Sequence, residues 1–214
     1  MHIEVLVEDS SGARLLEILL PRIIGVQGDP HTWRVHPYKG IGRIPKGLTS
    51  KADPAKRALL DQLPRILRGY GKTPGTDAVV VVVDNDSRDP RIFLKELNSL
   101  LGQCDPAPTT LFSIAIEEME AWLLGDSNAL FTAFPRAKKE VLARHKQDSI
   151  CGTWELLADA VHKGGRSAIQ AAGWPTAGEM KHEWANQIGT HMNVDTNASD
   201  SFCKFRNALR ELVA

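Results

Sequence analysis

The chain has 214 residues, enough for one sizeable core with a small appended part, and its 43% hydrophobic and 24% charged content is that of an ordinary globular protein. Twenty-six Lys and Arg balance 26 Asp and Glu, so bulk charge advertises neither nucleic acid nor membrane. Three scattered cysteines (Cys104, Cys151, Cys203) give no zinc spacing or disulfide framework, and with neither a signal-peptide pattern nor an apolar stretch of membrane-spanning length the expectation is a soluble cytoplasmic protein.

In chain order, HIEVLV (2–7) is short and rich in apolar and β-branched residues, which predicts a strand ending near Glu8. Ser10 or Ser11 can cap a helix running to about Ile24, with Leu15, Leu16, Leu19, Leu20 and Ile23 at helical spacing and Pro21 expected to bend or shorten it. TWRVHPY (32–38) alternates as a strand does, although Pro37, which lacks a ladder donor, counts against it. A Gly- and Lys-rich loop follows. Asp53-Pro54 then opens a helix carrying Leu59, Leu60, Leu63, Ile66 and Leu67 on one face, with Pro64 as a kink.

Val79–Val83 has no polar alternation, so both of its faces are expected to be buried, as in the centre of a parallel sheet. Pro90 suits the first turn of the next helix, and LFSIAI (111–116) reads as a further strand leading into EEMEAWLLGD. Beyond Asp126 the pattern turns helical, over 136–145, 153–163, about 178–190 and 201–213, with GGRS and AGWPTAG as turns. Strands alternating with helices predict an α/β fold: a mostly parallel sheet flanked by helices over 1–126, and a helical C-terminal part over 127–214 packed on it or merged with it.

Acidic residues collect where three of these strands end: Glu8, then Asp84, Asp86 and Asp89, then Glu117, Glu118 and Glu120. Ligands of such sheets gather outside the carboxyl ends of the strands. A hard divalent cation takes oxygen ligands and offsets the repulsion of grouped carboxylates, whereas without one their pKa values rise. Asp-x-Asp after a buried strand sets two carboxylates on a rigid edge suited to one or two cations and to phosphodiester displacement. Each acid alone has a plain explanation as a helix cap or an exposed strand end; the set of three strand ends does not. An EF-hand is excluded, because its sixth position would be Asp89 and its twelfth Lys95.

Between Arg34 and Lys72 lie ten basic residues against only Asp53 and Asp61, a segment fit to meet a polyanion beside an acidic metal site. Lys39, Arg43, Lys46 and Lys51 are the candidate phosphate contacts. The seven histidines do not cluster, and the tryptophans form no stacking row.

Strand–Glu8 and the strand ending Asp84-x-Asp86 resemble the signature of Toprim domains, shared by topoisomerases, primases and the overcoming-lysogenisation-defect nucleases. IAIEEMEAWLLGD (114–126) resembles the third acidic motif of those nucleases, where Glu-x-Glu opens a helix beside an aromatic. The chain is similar, more closely still, to a bacterial Toprim-like family of unknown function often found with ATPases in phage-defence settings. The similarity covers roughly 1–126, with a looser match at SFCKFRNAL.

The resemblance implies a metal-dependent nuclease acting on DNA or RNA with Mg2+ or Mn2+, alongside a partner ATPase. Glu8, Asp84, Asp86, Glu118 and Glu120 would be catalytic metal ligands, Asp89 an auxiliary ligand, and Lys181 the lysine that such nucleases carry near the scissile phosphate. One departure is clear. Four residues after the first glutamate, where the nucleases carry an acid, this chain has Gly12, which leaves the number of metals open and keeps a non-catalytic metal- or partner-binding module as the alternative.

Other families fit less well. A haloacid-dehalogenase-type phosphotransferase needs a strand ending in Gly-Asp, but Gly125-Asp126 follows a helix. A glycosyltransferase Asp-x-Asp leaves Glu8 unexplained, and a topoisomerase would have only Tyr38 or Tyr70 as nucleophile.

Overall fold

The computed structural model describes residues 1–44, 58–150 and 152–214. Strand β1 (His2–Val7) leads through helix α1 (Ser10–Ile24) to β2 (Thr32–Pro37). Helix α2 (Leu59–Tyr70), β3 (Ala78–Asp84), α3 (Pro90–Leu101) and β4 (Thr110–Ala115) follow. The expected opening of α2 at Asp53-Pro54 lies outside the described residues. The four strands form one all-parallel sheet in the order β2-β1-β3-β4, so the protein is an α/β fold.

Side-chain alternation along the sheet sorts the core. Ile3, Val5, Val7, Val80 and Val82 enter the apolar layer shared with α1, while Leu6, Val79, Val81 and Val83 enter the layer of α2 and α3. Both faces of β3 are therefore buried, as the valine run predicts. Pro37 sits at the end of β2 on the sheet edge, where its missing N–H breaks no ladder bond. Helix α1 runs through Pro21 to Ile24 without being shortened. Its cap is Asp9, not Ser10 or Ser11: Asp9 Oδ1 accepts from Gly12 N at 2.7 Å and from Ser11 Oγ at 2.8 Å.

The chain continues through α4 (Glu120–Leu124), α5 (Ser127–Ala133), α6 (Lys139–Leu142), α7 (Thr153–Val161), α8 (Gly165–Ala172), α9 (Trp174–Gly189) and α10 (Asp200–Val213). Three sequence expectations are corrected. Of GGRS only Gly164 lies in the turn and α8 begins at Gly165, while AGWPTAG closes α8, breaks at Gly173 and starts α9 with Pro175 in its first turn. The helix expected over 136–145 contracts to α6.

The helical part shares the core of the sheet. Trp122 packs against Phe202, edge-on at 5.5 Å, and Phe205, stacked at 5.1 Å, in a three-ring cluster, and its Nε1 donates to Ser201 Oγ at 3.0 Å. Asn197 Nδ2 donates to the Trp122 carbonyl, and Asp148 accepts from Ser199 Oγ and Ser201 N. One continuous apolar layer thus runs from β1 and α1 through α4 and α9 to α10.

Helix α9 is keyed onto α1. Arg14 reaches Asn186 Oδ1 at 2.6 Å, and Arg22 donates to the carbonyls of Gly189, Thr190 and Met192 at the end of α9. Gly189 permits this approach, since a Cβ there would lie 2.9 Å from Leu15 Cδ1.

Because the layer is continuous, Phe205→Ala is expected to cost about 3–5 kcal/mol. Denaturant unfolding followed by tryptophan fluorescence and by far-ultraviolet circular dichroism should stay a single coincident transition. Separate transitions for the two probes would show that 127–214 folds as its own unit.

Candidate functional site

Chain direction places the site. From β1 the chain crosses by α1 on one face to β2, then returns by α2 on the other face to β3, on the opposite side of β1. The strand order therefore reverses between β1 and β3, and a crevice opens outside their carboxyl ends. Glu8 follows the last residue of β1, and Asp84 is the last residue of β3.

The loops after β3 and β4 hold each other. Asn85 is almost fully buried; its N donates to the Ala115 carbonyl, its Nδ2 to the Arg88 carbonyl, and its Oδ1 accepts from Glu117 N. Asp86 N donates in turn to the Glu117 carbonyl. Asp86 and Glu117 both take positive φ, 49° and 61°, so the chain turns sharply at each strand end. Glu117 then leaves the crevice: its carboxylate accepts from Gly152 N, Thr153 N and Thr153 Oγ1 at the start of α7. With Glu117 withdrawn, Glu118 and Glu120 are the acids of this stretch left at the crevice.

The expected residues divide as follows. Glu8, Asp84, Glu118, Glu120 and Lys181 come together. Lys181, on α9, sits with its Nζ 3.2 Å from Glu118 Oε1 and 3.4 Å from Glu120 Oε2. Asp86 is exposed at the rim and acts electrostatically on Glu8. Asp89 stands apart as the cap of α3, its Oδ1 accepting from Arg91 N and Ile92 N. Lys39 and Arg43 are exposed on the stretch after β2, where Gly40 N donates to the Glu8 carbonyl. Lys46 and Lys51 lie outside the described residues.

The cluster is short of positive charge. Burial first, then Asp9 and Asp86, raise the Glu8 carboxyl to about 7. Burial, then Glu120, raise Glu118 to about 8 against the pull of Lys181. Burial, then Glu8 and Glu120, push Asp84 well above the carboxylate range, and burial also raises Glu120. Burial alone would lower the Lys181 ammonium, but Glu120, Glu118, Asp84 and Asp9 together outweigh it and hold Lys181 above the usual lysine range.

Three carboxylate oxygens, Glu8 Oε2, Asp84 Oδ1 and Glu118 Oε2, are buried with no hydrogen-bond partner. Hard, anionic and unsatisfied, this donor set fits Mg2+ or Mn2+ in chemistry. It is not a preformed cage: among the described residues no three His, Cys, Asp or Glu groups converge as a ligand set. Nor is any described helix long and apolar enough to cross a membrane.

Gly12, where an acid is expected, has a steric reason to be glycine. A Cβ there would meet Val7 Cγ2 at 2.7 Å and Met119 Sδ at 2.8 Å, because α1 starts directly against the end of β1 and the turn into α4.

Asp9, Asn85 and Glu155 also act at the site, outside the residues predicted to form it. Asp9 caps α1 while its charge acts on Glu8, Glu120 and Lys181, and Glu155 on α7 raises Glu118. Only Asp9, adjacent to Glu8, carried a local sequence signal.

No family model matches the chain, and no curated protein or solved structure proves similar to it.

The raised carboxyls set the sign of the pH response. Above their ordinary value of 4.5, Glu8 and Glu118 hold protons in the fold that the unfolded chain has released, up to about 7 and 8 respectively. The contribution of Glu8 and Glu118 to the stability of the metal-free protein is therefore fully present below pH 4.5 and is lost as pH rises toward 8. Thermal melts should follow this trend in the absence of divalent cations. Asp84→Asn, which removes one of the repelling charges, should raise Tm at pH 8; a lowered Tm would show that Asp84 is a stabilising carboxylate.

Proposed function

We propose that this chain is a divalent-metal-dependent phosphodiesterase acting on nucleic acid. The observation that carries the reading is the set of three buried, unpartnered carboxylate oxygens on Glu8, Asp84 and Glu118 at the strand-order reversal. Glu8, Asp84 and Glu118 would hold Mg2+ or Mn2+, with Asp86 at the rim. The bound cation would supply charge neutralisation at a phosphodiester and activation of water.

The protein's own groups have definite tasks in this reading. Glu8 would serve as a ligand through its buried, unpartnered Oε2 at the end of β1, so that its charge is met by the cation and not by a proton. Lys181 carries a fixed positive charge beside the reacting region, anchored on α9 by buried Trp184, Ala185 and Ile188. Asn85 and Glu117 fix the loops that bear the acids. Lys39 and Arg43 offer exposed charge to a polyanion on the stretch that donates to Glu8. The resemblance to a family found with ATPases in phage-defence settings extends the proposal to an effector that works with an ATPase partner.

A non-catalytic metal- or partner-binding module is the second reading. Lys181 already neutralises part of the cluster, and the acids form no ready-made cage, which favours it.

One experiment separates the two. Full-length protein with Mg2+ or Mn2+ is offered DNA and RNA, alone and with a partner ATPase and nucleotide. The enzyme reading expects cleavage that Asp84→Ala with Asp86→Ala reduces by more than about a hundredfold, the scale of losing a preorganised electrostatic group. Cleavage that survives the double substitution would put the chemistry elsewhere, and no cleavage in any combination would favour the binding module.

A further inference from the structure

We propose that the cluster takes a single divalent cation, held by Glu8, Asp84 and the unpartnered oxygen of Glu118 with Asp86 beside them, and that the Lys181 ammonium facing Glu120 and the other oxygen of Glu118 is its second, tethered cation. This rests on the metal-dependent reading above and specifies its stoichiometry.

An accounting of the acids leads there. Asp9 is committed to the first turn of α1, Asp89 to that of α3, and Glu117 to that of α7. Glu120 and one oxygen of Glu118 face Lys181 Nζ at 3.4 and 3.2 Å. Gly12 offers no carboxylate, and a side chain at its position would have to push aside Val7 Cγ2 and Met119 Sδ. What remains is Glu8 Oε2 and Asp84 Oδ1, each buried and unpartnered, the exposed carboxylate of Asp86, and Glu118 Oε2. Glu118 divides its oxygens, one on the ammonium and one without a partner.

That set suffices for one hard cation, which completes its shell with water when protein ligands are few. A second would have to displace an ammonium that the structure holds in place. Lys181 is only 16% exposed, and its helix is fastened to α1 by Arg14, Arg22 and the close approach at Gly189. The ammonium stands where its charge offsets Glu118 and Glu120 without an ion drawn from solution. It acts through the carboxylates it pairs with and is in this respect a positioning residue.

The test is Mn2+ titration of the full-length protein by calorimetry, with the electron paramagnetic resonance spectrum recorded at saturation. The wild type is expected to bind one Mn2+ and to give the spectrum of an isolated ion. Lys181→Met, which keeps the stem and removes the charge, is expected to admit a second Mn2+ magnetically coupled to the first. If Lys181→Met does not fold, Glu120→Gln and Asp84→Asn carry the test. The first should keep a single Mn2+, and the second should weaken binding by more than about a hundredfold, beyond the loss of an outer-shell partner. Two coupled ions on the wild type would overturn the tethered-cation assignment and leave the metal-dependent reading intact. So would a Lys181→Met protein that still takes one ion at unchanged affinity. No Mn2+ on the wild type at all would overturn the metal reading itself.

Discussion

The repulsion among carboxylates gathered outside β1 and β3 is the constraint to which the rest of the structure answers. Parallel strands deliver Glu8 and Asp84 to the same crevice, and the turn after β4 adds Glu118 and Glu120. Partial burial makes each charge more costly and each neighbour's repulsion stronger. A fold that builds this crevice needs a compensating cation, and Lys181 comes from α9, more than fifty residues beyond the last strand. The helical part is in this sense a component of the site. Its packing on Trp122 and its polar ties at Asp148, Asn197 and Arg22 hold one ammonium against two glutamates. Proteins commonly forgo stability where groups must be poised for function, and a crowded set of half-neutralised acids is such a place.

What the sequence made legible followed from short-range pattern. A run of five valines can only be a doubly buried strand in a chain of this composition, and the acids after each strand are fixed to the sheet edge by adjacency. The parallel sheet and the strand ends near Glu8 and at Asp84 were readable for that reason. Choices between neighbouring polar residues were less so: Asp9 rather than Ser10 or Ser11 caps α1, since the cap depends on which side chain meets Gly12 N. Long-range partners left no trace. Asn85 and Glu117 are 32 residues apart, and nothing local marks Asn85 as the residue that ties two strand ends. Lys181 is named through the resemblance alone, and its pairing with Glu118 and Glu120 follows from helix packing that no local pattern announces. Asp89 shows the opposite failure, because an acid beside Asp84 and Asp86 in sequence is drawn away by the first turn of α3.

Gly12 changes meaning once the packing is seen. In the sequence it is a missing acid; in the fold it lets α1 begin hard against Val7 and Met119. The same close start brings Asp9 near Glu8, Glu120 and Lys181, so charge absent at position 12 is partly supplied by the helix cap. Asp9 is already bonded to Gly12 N and Ser11 Oγ, which makes it a source of potential rather than a free ligand. Acid count in a motif and ligand count in a site are therefore different quantities, and capping geometry decides how they differ.

In the proposed reading, electrostatics also orders the events at the site. A nucleic acid brings phosphates toward a crevice whose nearest charges are carboxylates, so the exposed Lys39 and Arg43 can hold the strand only at a distance from Glu8 and Asp84. The lysine within the crevice is spent on Glu118 and Glu120. Productive approach of a phosphodiester thus depends on a cation that offsets most of the negative charge beside Glu8 and Asp84. On this logic the cation governs where the backbone settles as well as how water is activated, and tight nucleic-acid binding without it would be a property of the basic segment alone.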